Sequence, residues 1–189
     1  MRQNQTLNLV LASQSPRRNS LLKQFDIPFQ VVVSDIDETP LIGEAPDQMT
    51  LRLAKQKALA VFDKVGKGHR VLGGDTTVTL QQRILGKPSG RSDAIDMLNQ
   101  LSGSTHLVHS AVALASDNGC ETRLCSTKVT FITLTDIQIS QYCDSLDPYD
   151  KAGAYGIQGA AGRFVSQIEG SYSGVMGLPL WETHQLLSQ

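Results

Sequence analysis

The alternation of apolar and polar positions divides the chain into strands and helices in turn. Leu7 to Ala12 (LNLVLA) is a short apolar run that predicts a buried strand. Ser15-Pro16 then opens a helix, because serine suits an N-cap and proline the first turn, and Leu21, Leu22 and Phe25 supply its apolar face. Phe29 to Val33 predicts a second strand, and residues 34–46 a polar, acidic loop. From Asp47 to Phe62, Leu51, Ala54, Ala58, Val61 and Phe62 fall on one helical stripe. A strand is expected at Arg70 to Gly73 with Asp75 at its end, then a hairpin of Val78–Leu80 and Arg83–Leu85 around Gln81-Gln82. Ala94, Met97, Leu98 and Leu101 mark a further helix, and two β-rich runs, 105–116 and 122–134, are separated by the turn signal Asp117-Asn118-Gly119. Thr135 and Gln138 form a capping-box pattern before a helix with Ile139, Tyr142, Cys143 and Leu146 on one face. Residues 150–177 are rich in glycine, which predicts tight turns and close backbone approach, and a short helix over 179–187 closes the chain. Mixed strands and helices place the fold in the α/β or α+β class.

A chain of 189 residues fits one domain, residues 1–189, with room for two lobes around a cleft. With 40% hydrophobic and 19% charged residues the composition is that of a globular protein. A net charge of −1 leaves no global basic field to hold nucleic acid or an anionic membrane, so neither is an expected partner. No stretch approaches the roughly 18 apolar residues of a membrane span, and the N-terminal segment lacks the pattern of a secretory signal, so a cytoplasmic location is expected. Cys120, Cys125 and Cys143 are odd in number and lack CxxC spacing, which argues against disulfides and structural zinc.

The sharpest chemical feature is Ser13-Gln14-Ser15-Pro16-Arg17-Arg18. Two arginines in the first turn of a helix stand at the end where the macrodipole is already positive. Two solvated arginines would cost only a few tenths of a kcal/mol. The alternative is an anion site, where helix N–H groups, the hydroxyls of Ser13 and Ser15 and two guanidiniums converge on a phosphate chain. Carboxylates in loops are the second feature: Asp75 after Gly73-Gly74, and Asp37 with Glu38, can hold Mg²⁺ or Mn²⁺ through oxygen while substrate phosphates fill the remaining positions. Lys57 and Lys87, each a surface lysine by itself, could join Arg17 and Arg18 in neutralising a triphosphate. Gly86-Lys87-Pro88 is not a P-loop, and neither GxGxxG nor HExxH occurs. His106 and His109 lie three apart in a strand and would face opposite ways, so they are not a metal pair. His69 and His184 read as surface residues, Cys143 as core, and Trp181 and Tyr172 as core packing more readily than as base-stacking groups.

These residues resemble the Maf family of nucleotide pyrophosphatases. The matching blocks are LASQSPRR (11–18), DIDET (35–39), LRLAKQKA (51–58), GGDTTV (73–78), GKP (86–88), KAGAYGIQG (151–159) and GLPL (177–180), in family order along the whole chain. The resemblance implies a Maf/Ham1 (ITPase-like) α/β fold, a long mixed sheet with helices and two lobes around a deep cleft. It implies cleavage of nucleoside triphosphates to monophosphate and pyrophosphate, as a house-cleaning activity that depends on a divalent cation, Mg²⁺ or Mn²⁺, and a homodimer. Asp75 falls on the family's catalytic base, and Arg17, Thr76 and Gln158 on the positions tied to substrate choice, in the pattern of the subgroup preferring dTTP and UTP. Ser13, Arg18, Glu38, Lys57 and Lys87 match the family's remaining polar cleft positions; with Ser15 and Arg17, the hydroxyls and cations among them are the expected phosphate contacts, and Glu38 with Asp75 the expected metal ligands. Gln56, where relatives often carry glutamate, and the Gly73-Gly74 pair, where Gly-Ala is common, are departures of little expected consequence. The alternative is a non-catalytic nucleotide-binding protein acting in cell division at the septum, which the retention of Asp75 and Glu38 argues against.

Overall fold

The computed structural model describes residues 8–189; Leu7, the first residue of the first expected strand, lies outside them. The elements run β1 (Asn8–Leu11), α1 (Pro16–Leu22), β2 (Phe29–Val31), α2 (Pro46–Val65), β3 (His69–Leu80), β4 (Arg83–Leu85), α3 (Arg91–Leu101), β5 (Thr105–Ser116), β6 (Gly119–Phe131), α4 (Asp136–Cys143), β7 (Val165–Glu169), α5 (Tyr172–Met176) and α6 (Leu180–Leu187). Among the described residues seven strands form one mixed sheet in the order β2-β1-β3-β5-β6-β7, with β4 attached to β3. β1 runs parallel to β2 and β3, and the other pairings are antiparallel. Among the described residues no helix is long and apolar enough to cross a membrane.

One edge of β3 is shared. β1 pairs with it as far as Leu72, and β4 pairs from Val78 onward, so residues 73–77 have no strand partner on that side among the described residues. On the other side β3 is paired with β5 without a break from Val71 to Thr79. The Leu72 carbonyl faces β1, where it accepts from the Ala12 N–H at 2.8 Å. Main-chain direction alternates along a strand, so the peptide groups of Gly74 and Thr76 face the same side, into the opening.

The core divides at this opening. On one face α2 packs Ala54, Ala58 and Val61 against Val10, Val71, Ala111 and Ala113. Small side chains let the helix lie close: a Cβ on Gly73 would stand 2.7 Å from the Ala58 backbone nitrogen. On the opposite face α1 and α6 bury Leu21, Leu22 and Leu186 against Leu9, Leu11, Leu72 and Val112. Beyond the opening α3 and α4 cover Val78, Val108, Val129 and Phe131 in a separate cluster. The two sides of the opening correspond to the two lobes that the family resemblance implies.

Several expectations change. Asp75 is not at the end of a strand but in the middle of a twelve-residue one, because Thr76 to Leu80 (TTVTL) continues the β pattern past the two glycines. The hairpin after it turns at Gln81 and Gln82, both with positive φ (49° and 71°), the combination that a type I′ turn requires. β6 begins at Gly119 and ends at Phe131, three residues earlier at each end than the expected run. α4 stops at Cys143, which leaves Leu146 89% exposed and off the packed face. Trp181 and Tyr172 are 65% and 49% exposed, so neither is core.

Candidate active site

Ser13, Ser15, Arg17, Arg18, Glu38, Lys57, Asp75, Thr76, Lys87 and Gln158 line one cavity of about 430 Å³ at the β3 opening. Apart from Asp37, every site residue expected from the sequence is therefore brought together. Asp37 is the loop carboxylate left out; it accepts from the Thr39 N–H at 2.9 Å instead, and the Thr39 side chain together with that N–H holds its carboxyl below the ordinary range.

The opening lets both faces of the sheet reach the cavity. On the α2 face, Lys57 projects from the helix beneath Asp75, and both are buried. Lys57 Nζ lies 2.6 Å from Asp75 Oδ1 and 2.8 Å from Glu38 Oε1. Two carboxylates from separate elements thus aim at a single cationic point. Thr50 and Thr77, joined at 2.9 Å, satisfy the next polar pair along the same face.

On the other face Arg18 lies across Gly74, where a Cβ would come within 3.3 Å of its Nε. Arg18 donates to the Gly177 carbonyl at 2.8 Å, to Thr76 Oγ1 at 3.1 Å and to Ser13 Oγ at 3.3 Å. Burial lowers its pKa, against the pull of Asp75 and together with the repulsion of Arg17. It is not the solvated surface arginine of the simpler reading. Ser15 caps α1 by accepting from the Arg18 N–H, and Ser13 Oγ accepts from the Ser15 N–H at 3.2 Å, which fixes the turn that carries these hydroxyls. Thr76 is braced in turn by Ser110, at 2.9 Å, whose hydroxyl donates to the Gly174 carbonyl at 2.6 Å.

Arg17 points across the cavity mouth to Asp150, at 3.1 Å. Burial is the largest single influence on the Asp150 carboxyl and pulls its pKa upward, but Lys151 and Arg17 together hold it below the usual value. Asp150, Lys151 and Tyr155 also line the cavity and were not singled out from the sequence. The signal available was their position in the glycine-rich segment. Gly156 and Gly159 leave room there for Lys151 and Asp147, since a Cβ at Gly156 would meet Lys151 Cε at 2.6 Å.

His106 and His109 face opposite ways, as expected: His106 Nε2 meets the Tyr155 hydroxyl at 2.8 Å, and His109 Nδ1 meets Ser126 at 2.8 Å. His106 is buried, its Nδ1 has no partner, and burial pushes its pKa down to about 4, so it is neutral. Cys143 is core and His184 is exposed.

Both carboxylates offer hard oxygen donors. Among the described residues no group of three or more His, Cys, Asp or Glu side chains converges. Glu38 and Asp75 converge on the Lys57 ammonium, and the same two carboxylates would suit a divalent cation such as Mg²⁺ or Mn²⁺, with substrate oxygens and water completing its shell. The residues fit such an ion.

The profile of the Maf-like protein family matches residues 8–189. The chain is 50% identical over 184 residues to the dTTP/UTP pyrophosphatase of Pseudoalteromonas atlantica, covering 96% of each protein. It is 52% identical over 184 residues to the dTTP/UTP pyrophosphatase of Colwellia psychrerythraea, covering 95% of this chain and 87% of that one. Against that of Shewanella oneidensis it is 50% identical over 191 residues, covering 97% and 98%. Among solved structures, the Ham1 protein of Staphylococcus aureus aligns with 95% of each chain covered, at a TM-score of 0.49 and 14% identity.

Proposed function

The chain belongs to the Maf family, and we propose that it hydrolyses dTTP and UTP to the monophosphate and pyrophosphate. One observation carries the mechanism: the buried Asp75 stands at the gap in the β3 edge, in a cavity lined by cationic side chains from four separate segments. The triphosphate lies along Ser13 to Arg18, with Lys57 and Lys87 beside it. Arg17 exchanges its exposed contact with Asp150 for a phosphate oxygen, and Arg18, already fixed by three acceptors, presents a preorganised positive charge.

Asp75 Oδ1 is engaged by Lys57, which leaves Oδ2 to take a proton from water. The water oxygen bonds to the α-phosphorus, the bond to the bridging oxygen breaks, and pyrophosphate departs in line. Lys57 holds the carboxylate in one rotamer, and Arg17, Arg18 and Lys87 offset charge on the leaving group. A divalent cation held by Glu38 and Asp75 would polarise phosphate oxygens and lower the pKa of a bound water. Gln158, exposed at the cavity mouth, can donate to and accept from the O4 and N3 edge of uracil or thymine. A cytoplasmic location and a homodimer belong to the same proposal, and sedimentation of the purified protein tests the second.

Pyrophosphate release from UTP and dTTP with Mg²⁺ is the test, with Asp75→Asn as control. The unmodified protein releases pyrophosphate, and the variant loses about 10²–10⁴-fold in turnover, as for a lost general base. Near-normal turnover in a folded Asp75→Asn protein overturns the role of Asp75, and release of orthophosphate in place of pyrophosphate overturns the bond assignment.

A further inference from the structure

Side chains at every second residue of β3 share a face of the sheet, and on the Arg18 face they form three successive rungs. At the first, Gly74 carries the Arg18 guanidinium. At the second, Thr76 pairs with Ser110, hydroxyl to hydroxyl at 2.9 Å. At the third, Val78 pairs with Val108, and both are buried. The floor therefore grades from cationic through hydroxyl to apolar in two steps of about 7 Å. A nucleotide with its phosphates at Arg18 places its base over the valine rung.

Val175 of α5 and Tyr155 also line the cavity, and both pack in the cluster that holds Val78 and Val108. The floor at Val78 and the Tyr155 side of the wall are held in place by their neighbours. The Tyr155 hydroxyl is held by His106 at 2.8 Å, and its ring stands edge-on to Phe131 with centroids 4.9 Å apart. Behind Val78 lies Gly153, so close that a Cβ there would meet Val78 Cγ1 at 2.9 Å. Interiors packed in this way resist collapse and expansion alike.

We propose that Val78, Val108, Val175 and Tyr155 form a rigid size filter that admits a one-ring base and refuses a two-ring base. The inference rests on the pyrophosphatase reading above and deepens it. Selection for pyrimidines is then steric at the apolar end and separate from any hydrogen bonding by Gln158.

The test compares kcat/KM for UTP and ATP, measured as pyrophosphate release, in the unmodified protein and in Val108→Ala and Val175→Ala. One methylene in an apolar pocket is worth roughly 10–200-fold in discrimination, so removing two methyl groups should raise the ATP/UTP ratio at least about tenfold. Val175 is half-buried on a short helix, so Val175→Ala keeps the test open if Val108→Ala does not fold. An unchanged ratio in the folded variants, with UTP still cut, overturns the filter and leaves the activity standing. An unmodified protein that cuts ATP as well as UTP also overturns it. No pyrophosphate from UTP in the unmodified protein overturns the activity itself.

Discussion

Replacing Lys57 with methionine takes away the cation that Asp75 and Glu38 share, while keeping most of the apolar stem that packs in α2. Removing one partner of a buried ion pair costs about 3–5 kcal/mol, because a charge is left without compensation. Here the two carboxylates differ. Glu38 has a side chain 59% exposed and can turn to water, whereas the Asp75 side chain is only 9% exposed and cannot. The loss should therefore sit near the lower end, about 3 kcal/mol, which in a chain of this size lowers Tm by roughly 6–12 °C. A divalent cation can then take the vacated point between Glu38 Oε1 and Asp75 Oδ1. At a hundredfold over its Kd it returns about 2.7 kcal/mol. Thermal melts of both proteins with and without MgCl₂, at matched ionic strength, read this directly. Mg²⁺ should raise the Tm of Lys57→Met by several degrees more than that of the unmodified protein, where the ammonium already occupies the point. If Lys57→Met melts like its parent, or Mg²⁺ moves both equally, the two carboxylates do not converge on a common cation.

Arg17→Ala should lower kcat/KM for UTP by about 10–100-fold, the value of one charge-assisted hydrogen bond. Its Tm should shift by no more than about 4 °C, since its contact with Asp150 is a surface pair worth at most about 1 kcal/mol; a large Tm loss with normal kinetics would make Arg17 a structural residue. His106 should make the fold sensitive to mild acid. Its folded pKa of about 4 lies below the unfolded value near 6.5, so the unfolded chain binds the extra proton between them. The stabilisation is full above about pH 6.5 and is lost as pH falls towards 4, by up to about 3 kcal/mol. Melts of the unmodified protein and His106→Gln from pH 7.5 to 4.5 check it: the variant should have the flatter profile, and parallel profiles would refute the assignment. Gly73→Ala should destabilise by about 1–3 kcal/mol or more, because the new Cβ meets the α2 backbone at Ala58; denaturant melts unchanged from the parent would refute that packing.

Much of the site was legible because the motifs that carry it are local. Ser13 to Arg18 is one turn, and Asp75-Thr76 and Gly86-Lys87 are adjacent pairs. That they share a cavity was implied by the family resemblance and not by their spacing, since only the β1–β3 pairing brings the α1 turn beside Asp75. Asp150 and Lys151 escaped notice for the same reason: the contact of Asp150 with Arg17 spans 133 positions, and an acid beside a base in a polar loop carries no pattern of its own. Gly73-Gly74 read as the end of a strand because glycine usually weakens one. Here each glycine answers a neighbour that sequence does not place, α2 on one face and the Arg18 side chain on the other. Trp181 and Tyr172, expected in the core, lie instead on two short helices that leave them exposed.

The placement of Asp75 inside a strand has a consequence for how the site is held. A carboxylate on a loop could adjust without disturbing its neighbours. On β3 the backbone of Asp75 is fixed against Ala111, and alternation puts Thr76 on the opposite face, where it meets Arg18. The proposed base and the proposed substrate-facing hydroxyl are thus set by one register. A slip of one residue would turn Asp75 away from Lys57 and Thr76 away from Arg18 together. The continuous β3–β5 ladder resists that slip, and the interruption between β1 and β4 opens the edge without breaking the ladder. Access and rigidity come from different sides of the same strand. That separation would let a buried acid face a polyphosphate without the mobility of a loop.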